Sequence, residues 1–280
     1  MLKLKLKSGE MIDAIGFGTY KIDNEKNAVE SIINACDAGY RLFDTADMYK
    51  NHKYVAKALK ESSLKRNEYK IATKIWPTDY KSDDTKRAID KALKDLNTDY
   101  IDILYLHWRG VNQYEAWTVF EDYKNEGILK HLAVCNFNKE QMEEFYKNVD
   151  IKPEIDQLET HPYFQNNEMK EYLDNKGIIL ECWGPLAQAK SNLLEDDLLV
   201  ELSNKYDKSP AQIALRWNIQ RGAMIIPKST HKSRIRENIE ILNFKLDDED
   251  MEKLKKLNKD QRFSHAPDDK EFLNQISKNK

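Results

Sequence analysis

Four residues in the first half of the chain could do chemistry together: Asp44, Tyr49, Lys74 and His107. They close three short segments, Phe43-Asp44-Thr45-Ala46-Asp47-Met48-Tyr49, Thr73-Lys74-Ile75-Trp76 and Leu106-His107-Trp108. Taken singly, each has an ordinary explanation. A Tyr near a strand end packs, a strand Lys snorkels, and a His after an apolar run is a satisfied polar group. Together they say more, because a buried Lys and a buried Asp are each costly unless paired. A phenol with a free pKa of ~10 is a weak acid, and a nearby ammonium stabilises its phenolate. Asp44 would keep Lys74 in place and charged, and His107 could orient a carbonyl. The set suits proton delivery to the alkoxide that develops when a carbonyl accepts hydride. A strand-end Lys could also form a Schiff base, so a lyase acting through Lys74 remains open, as does a chain that only binds a nucleotide and acts as a partner or sensor.

Eight apolar runs carry these residues: Ile15–Tyr20, Arg41–Thr45, Lys70–Trp76, Tyr100–His107, His131–Phe137, Glu154–Glu159, Gly177–Trp183 and Ala223–Pro227. Near-continuous apolar strands separated by helical segments mean a parallel sheet covered on both faces. Val29, Ile32, Ile33 and Cys36 share one helix face, with Gly39 as a stop. Ala88, Ile89, Ala92, Leu93 and Leu96 repeat at helical spacing, and Gly127, Gly177 and Gly222 are further stops. Asn138-x-x-Gln141 and Ser209-Pro210-Ala211-Gln212 read as capping boxes. Eight strand–helix units predict an α/β fold, a single (β/α)8 TIM barrel with its active site at the C-terminal strand ends. Residues 1–280 are expected to form one domain: a hairpin at about 2–14 closing the barrel bottom, the barrel at about 15–245, and an extra helix and polar tail over 246–280.

Composition narrows the function. Of 280 residues, 40% are hydrophobic and 33% charged, and the formal net charge is −3. A sequence pI near 6.1 leaves no basic footprint for nucleic acid. Apolar runs are too short to span a bilayer, and Met1-Leu-Lys-Leu-Lys-Leu-Lys alternates without a leader's apolar stretch. The reading is cytoplasmic, with no membrane or nucleic-acid partner, as a monomer or weak dimer. Cys36, Cys135 and Cys182 form no disulfide or ligand pattern, and His52, His131, His161 and His231 lack ligand spacing, so no metal is expected.

The order and spacing of several motifs resemble the aldo-keto reductases, of the bacterial 2,5-diketo-gluconate or aldehyde reductase kind, over roughly residues 2–245. They are Gly16-Phe17-Gly18-Thr19-Tyr20, Asp44-Thr45-Ala46-x-x-Tyr49, Thr73-Lys74-x-Trp76, Leu106-His107-Trp108, Asn136-Phe137, Gln157-x-Glu159, and Ile226-Pro227-Lys228-Ser229 with Arg234 and Glu237-Asn238. The resemblance implies an NADP-dependent oxidoreductase acting on CH–OH groups, with Tyr49 as proton donor, Lys74 and Asp44 as its tuning pair, and His107 as substrate orienter. It implies that NADPH, rather than NADH, is held at the barrel mouth, since Lys21 replaces the third glycine of a Rossmann fingerprint. Asn136 and Gln157 would hold the nicotinamide carboxamide, and Trp183 would stack on the ring. Lys228, Ser229, Thr230 and Arg234 would grip the 2′-phosphate, with Glu237 and Asn238 at the adenine. Gly18, Thr19, Asp44, Gly184 and Leu186 complete the implied cofactor contacts. Tyr20, Tyr49, Trp76, His107 and Trp108 would line a pocket for small aldehydes or ketones. Ala133, Cys135, Asp156, Arg109 and Gly184 stand where the family commonly has Gly, Ser, Asn, Pro and Ser.

Overall fold

The computed structural model describes residues 2–279, so the ends of the expected domain, Met1 and Lys280, lie outside the described residues. The chain opens with an antiparallel hairpin, β1 (Lys3–Lys5) and β2 (Met11–Asp13), in the register Leu4↔Ile12. Gly9 turns it, at φ +93°, a conformation that favours glycine. Eight parallel strands follow: β3 (Phe17–Gly18), β4 (Leu42–Asp44), β5 (Lys70–Ile75), β6 (Ile101–Leu106), β7 (Leu129–Cys135), β8 (Ile155–Glu159), β9 (Ile179–Trp183) and β10 (Met224–Ile225). They pair in sequence order, and the sheet closes where Ile225 N–H donates to Ala14 O (2.9 Å) and Gly16 N–H to Ile225 O (2.9 Å). This is the expected (β/α)8 barrel. Its first and last strands are shorter than their apolar runs.

The helices are α1 (Glu25–Ala38), α2 (His52–Glu61), α3 (Ser82–Leu96), α4 (Gln113–Asn125), α5 (Lys139–Lys147), α6 (Asn167–Lys176), α7 (Asp197–Tyr206), α8 (Pro210–Gln220), α9 (Lys232–Ile239), α10 (Asp248–Lys255) and α11 (Lys270–Ile276). Both capping boxes form, at Asn138–Gln141 and Ser209–Gln212. Gly39 ends α1 in the left-handed region, where its N–H reaches the carbonyls of Ala35 and Cys36. Between β9 and β10 the chain inserts an additional helix, α7, before the α8 of the repeating unit.

Strand parity sorts the side chains into two cores. Outward residues such as Ile71, Leu104, Val134 and Leu180 pack against the helices. Inward residues fill the barrel. Leu6 and Ile12 of the hairpin join Leu42, Ala72, Ile103, Ile155 and Ile179 as an apolar plug, with Tyr105, Ala133, Cys135 and Met224 in the same cluster. Parity then makes Asp44, Lys74, Gln157 and Glu181 inward-facing as well, two residues beyond the apolar inward residues Leu42, Ala72, Ile155 and Ile179, and Trp183 two beyond Glu181. Fixing Asp44 opposite Ala72, Lys74 opposite Tyr105, and Gln157 opposite both Cys135 and Glu181, the register sets polar groups from five strands on the barrel axis.

The tail departs from expectation. Residues 263–279 fold back over the barrel mouth. The carboxylate of Glu159, at the end of β8, accepts from the backbone N–H of Phe263 (2.7 Å) and Ser264 (3.1 Å). Asp269 caps α11. Trp76, Trp108 and Ile276 form a separate cluster with Met48, Phe272 and Leu273.

Candidate active site

Asp44 ends β4, Lys74 lies one residue before the end of β5, and His107 follows β6, so three neighbouring strands deliver their polar residues to one end of the barrel. Tyr49 arrives from the short 3-10 turn Asp47–Tyr49 after β4, with Lys50 at φ +56° reversing the chain into α2. Lys74 is fully buried and donates to both oxygens of Asp44, each at 2.6 Å, and to Thr45 O at 2.9 Å. Three acceptors use the ammonium's three N–H groups. Burial works against its charge, but the carboxylate of Asp44 and then Tyr49 outweigh it, and the Lys74 pKa lies above the ordinary range.

The ring of Tyr49 stands 5.1 Å from Lys74 Nζ and meets the His107 imidazole edge-to-face, with centroids 5.8 Å apart at 76°. Burial is the main influence on the Tyr49 phenol and raises its pKa, opposed by Lys74 and assisted by Asp44. The sequence predicts that the ammonium lowers the phenol's pKa; it does pull in that direction, but desolvation outweighs it and the pKa stays above the ordinary tyrosine value. The pKa of His107 falls well below the ordinary value through burial and then the charge of Lys74, so the imidazole is neutral near pH 7. Its Nδ1 is buried without a partner among the described residues.

The implied cofactor residues surround this group. Trp183 is half-buried, and its Nε1–H donates to Asn136 Oδ1 at 3.0 Å. Asn136, in the left-handed region at φ +61°, donates through Nδ2 to His107 O (3.1 Å) and Cys135 Sγ (3.2 Å). Gln157 Nε2 donates to Asp44 Oδ2 (3.0 Å) and Glu181 Oε2 (2.8 Å), while among the described residues its Oε1 has only the Cys135 thiol, at 3.6 Å. Thr19 is buried and donates through Oγ1 to Asp44 O. Gly18 lies within the barrel wall, where a Cβ would come 2.9 Å from Ile226 O. Gly184 adopts φ +60°, and Leu186 is partly buried against the outer core.

At the far end, Ser229 is buried and its hydroxyl accepts from His231 N–H, while Lys228, Thr230 and Arg234 are exposed around the start of α9. Lys228 has its pKa lowered by partial burial, with Asp23 opposing and Lys21 adding to the effect. Asn238 is buried. One oxygen of the Glu237 carboxylate, Oε1, accepts from the Ser209 hydroxyl at the start of α8.

Tyr20 is 47% exposed and packs on Tyr49 at 5.0 Å. Trp76 meets His107 edge-to-face at 5.0 Å. Trp76 and Trp108 are only 7% and 6% exposed because the tail lies over them. Phe272 packs edge-on against Trp108 at 4.8 Å, His265 stacks on Phe272 at 3.8 Å, and Trp76 Nε1–H donates to Asn279 O at 3.1 Å. Arg109 is engaged with Glu144 at 2.9 Å rather than turned to the pocket. Phe272 escapes a motif-based reading; Glu159 lies in the Gln157-x-Glu159 motif, but its role as tail anchor is not legible there. Glu181 and Tyr105 escape such a reading too, although parity with Trp183 and Lys74 points to both.

A closed parallel barrel with a buried Asp–Lys pair beside Tyr and His at its C-terminal mouth defines a class of barrel oxidoreductases. A profile of the Aldo/keto reductase family matches residues 14–259, and the chain belongs to that family. It is 39% identical over 267 residues to a glyoxal reductase of Bacillus subtilis (strain 168), covering 95% of this chain and 96% of that one. It is 35% identical over 268 residues to methylglyoxal reductase DkgA of Escherichia coli (strain K12), with 95% and 96% covered. Among solved structures, an aldo-keto reductase from a Medee basin deep-sea metagenome superposes with a TM-score of 0.93 at 33% identity, covering 95% of this chain and 98% of that chain. An aldo/keto reductase from Brucella melitensis gives 0.87 at 37% identity, covering 92% and 99%. The family reduces carbonyl compounds with nicotinamide cofactors, generally NADPH.

Proposed function

We propose that the protein is an NADPH-dependent reductase of small aldehydes and ketones, with Tyr49 as the proton donor. The observation that carries this is the placing of the Tyr49 ring between a clamped ammonium and a neutral imidazole. The residues fit a dinucleotide. Trp183 offers a partly exposed indole fixed by Asn136, Gln157 Oε1 has only a thiol partner among the described residues, and Lys21 lies near Lys228, with Arg234 exposed on the α9 that follows. NADPH, when bound, supplies the hydride. Trp183, Asn136 and Gln157 would hold its nicotinamide, and Lys228, Ser229, Thr230 and Arg234 its 2′-phosphate, with Asn238 at the adenine.

The chain's own residues handle the proton. His107, neutral and backed by Trp76, hydrogen-bonds the substrate carbonyl oxygen and orients it. Tyr49 passes its phenolic proton to that oxygen as negative charge develops there. Lys74 stabilises the phenolate left behind, and Asp44 keeps Lys74 charged and aimed. Tyr20, Trp76 and Trp108 provide an apolar wall, and the tail over them restricts the pocket to small carbonyl compounds. The relatives named glyoxal and methylglyoxal reductase suit this size. Three free, buried cysteines suit a reducing compartment such as the cytoplasm.

Against a Schiff-base lyase stands the state of Lys74. Its three N–H groups are engaged and its pKa is raised, so no free amine is available as a nucleophile. The test is a panel of short aldehydes and ketones followed by loss of NADPH absorbance, with Tyr49→Phe alongside. Tyr49→Phe is expected to lose about 10²–10⁴-fold in kcat while binding NADPH normally. Wild-type turnover in Tyr49→Phe would remove the acid assignment.

A further inference from the structure

Below the Asp44–Lys74 pair the barrel holds a second carboxylate, Glu181 on β9, with no solvent exposure. Its Oε2 accepts from Tyr105 Oη–H at 2.7 Å and from Gln157 Nε2 at 2.8 Å, while its Oε1 is buried without a partner among the described residues. The Gln157 amide nitrogen thus bridges two carboxylates, Asp44 at 3.0 Å and Glu181 at 2.8 Å. Asp44 fixes which way this amide points. It is occupied by Lys74 as an anion and would repel an amide oxygen, so the nitrogen must face it. Gln157 therefore has no N–H to spare, and only its oxygen, with a weak thiol contact, remains for a ligand.

We infer that Glu181 is a positioning residue for the nicotinamide site: with Tyr105 it locks the Gln157 amide, so that Gln157 can only accept a hydrogen bond, and from a carboxamide N–H. The four side chains form one relay across four strands, Tyr105 to Glu181 to Gln157 to Asp44, ending at Lys74. Asp44 alone could hold one Gln157 N–H, but a single contact leaves the amide plane free to rotate about it. The second contact removes that freedom before any ligand arrives, which lowers the ordering cost of binding. The state of Glu181 agrees with this arrangement. Burial, and next the Asp44 carboxylate, push its pKa up to about 7, against the Gln157 and Tyr105 hydrogen bonds and the charge of Lys74. A carboxyl with raised proton affinity carries less buried charge at its unpartnered oxygen, and it still accepts at Oε2. Nothing in the proposed proton transfer uses Glu181 directly.

This inference rests on the nicotinamide-dependent reading above, and the test separates the two. NADPH affinity would be measured by fluorescence titration, with the melting temperature recorded for every variant, on Glu181→Gln, Tyr105→Phe, Glu181→Leu and Glu181→Leu/Tyr105→Phe. Glu181→Gln keeps an acceptor for both partners and is expected to stay within about twofold of wild type. Glu181→Leu orphans the Tyr105 hydroxyl, so the double variant, which removes it, is the decisive protein. It is expected to bind NADPH about tenfold more weakly, with KM for NADPH rising more than kcat falls. Tyr105→Phe removes one of the two contacts to Glu181 and is expected to weaken binding about threefold. A folded double variant with wild-type affinity overturns the role of Glu181. A wild-type chain that does not bind NADPH overturns the proposed function instead.

Discussion

Replacing Lys74 by Met separates what the buried ion pair does for the fold from what it does for chemistry. Lys74 is fully buried and Asp44 is 2% exposed. Removing the ammonium leaves Asp44 with the Gln157 amide at 3.0 Å as its remaining side-chain donor. Orphaning one member of a buried pair costs about 3–5 kcal/mol. At about 2–4 °C per kcal/mol for a chain approaching this size, the melting temperature should fall by roughly 6–20 °C. Lys74→Met with Asp44→Asn removes the stranded charge. Its side chains remain close in volume, and its amide can still meet Gln157. Most of the lost melting temperature should return in this double variant. Activity should not: without the ammonium nothing offsets the burial that raises the Tyr49 pKa, and kcat should stay about 10²–10⁴-fold down. Scanning calorimetry and steady-state kinetics on wild type and both variants suffice. Return of kcat together with stability in the double variant would show that Lys74 serves only the fold, and the tuning argument would fail.

Three further outcomes are expected. Lys228→Ala with Arg234→Ala should raise KM for NADPH at least about tenfold while barely changing that for NADH, because each removes a charge-assisted contact to phosphate; equal effects on both cofactors would remove the 2′-phosphate assignment. Asp156, fully buried on the outward face of β8, has its pKa pushed well up by burial, only partly opposed by the nearby Phe137 N–H. A carboxyl raised in the folded state favours folding below its unfolded pKa of ~3.9 and loses that advantage as pH rises. Asp156→Asn should therefore match wild type near pH 4 and melt higher at pH 8, and a pH-independent difference would refute the assignment. Phe272→Ala should uncover Trp108, red-shifting tryptophan emission and lowering KM for bulkier aldehydes; unchanged emission would mean that α11 does not cover the mouth in solution.

Much of the architecture is legible in residue order. The eight apolar runs become the eight barrel strands because a strand buried on both faces needs apolar residues at nearly every position. Capping boxes at Asn138 and Ser209 work through contacts within one helical turn, so local sequence suffices for them. β3 and β10 fall furthest short of their runs, because the chain around them meets across the barrel seam, where pairing depends on closure, not composition. The missed α11 has a different cause. Its apolar residues, Phe272, Leu273 and Ile276, are few, and their partners Trp76 and Trp108 lie far back in the chain. The four proposed catalytic residues were visible because each sits in a short motif at a strand end. Glu181 was not: one acidic residue within an apolar run matches no motif, and only its two-residue offset from Trp183 marks it as inward-facing.

Residue types and the spacing of apolar runs on their own pointed to which strands exist and to a phenol, an ammonium, a carboxylate and an imidazole sharing one mouth. Closure of the sheet and its register decided the rest. They bring Gln157 between Asp44 and Glu181, lay the tail over the two tryptophans, and let burial outweigh Lys74 at Tyr49. These outcomes depend on distances between residues far apart in the chain and on how much water is excluded, and both are properties of the folded whole.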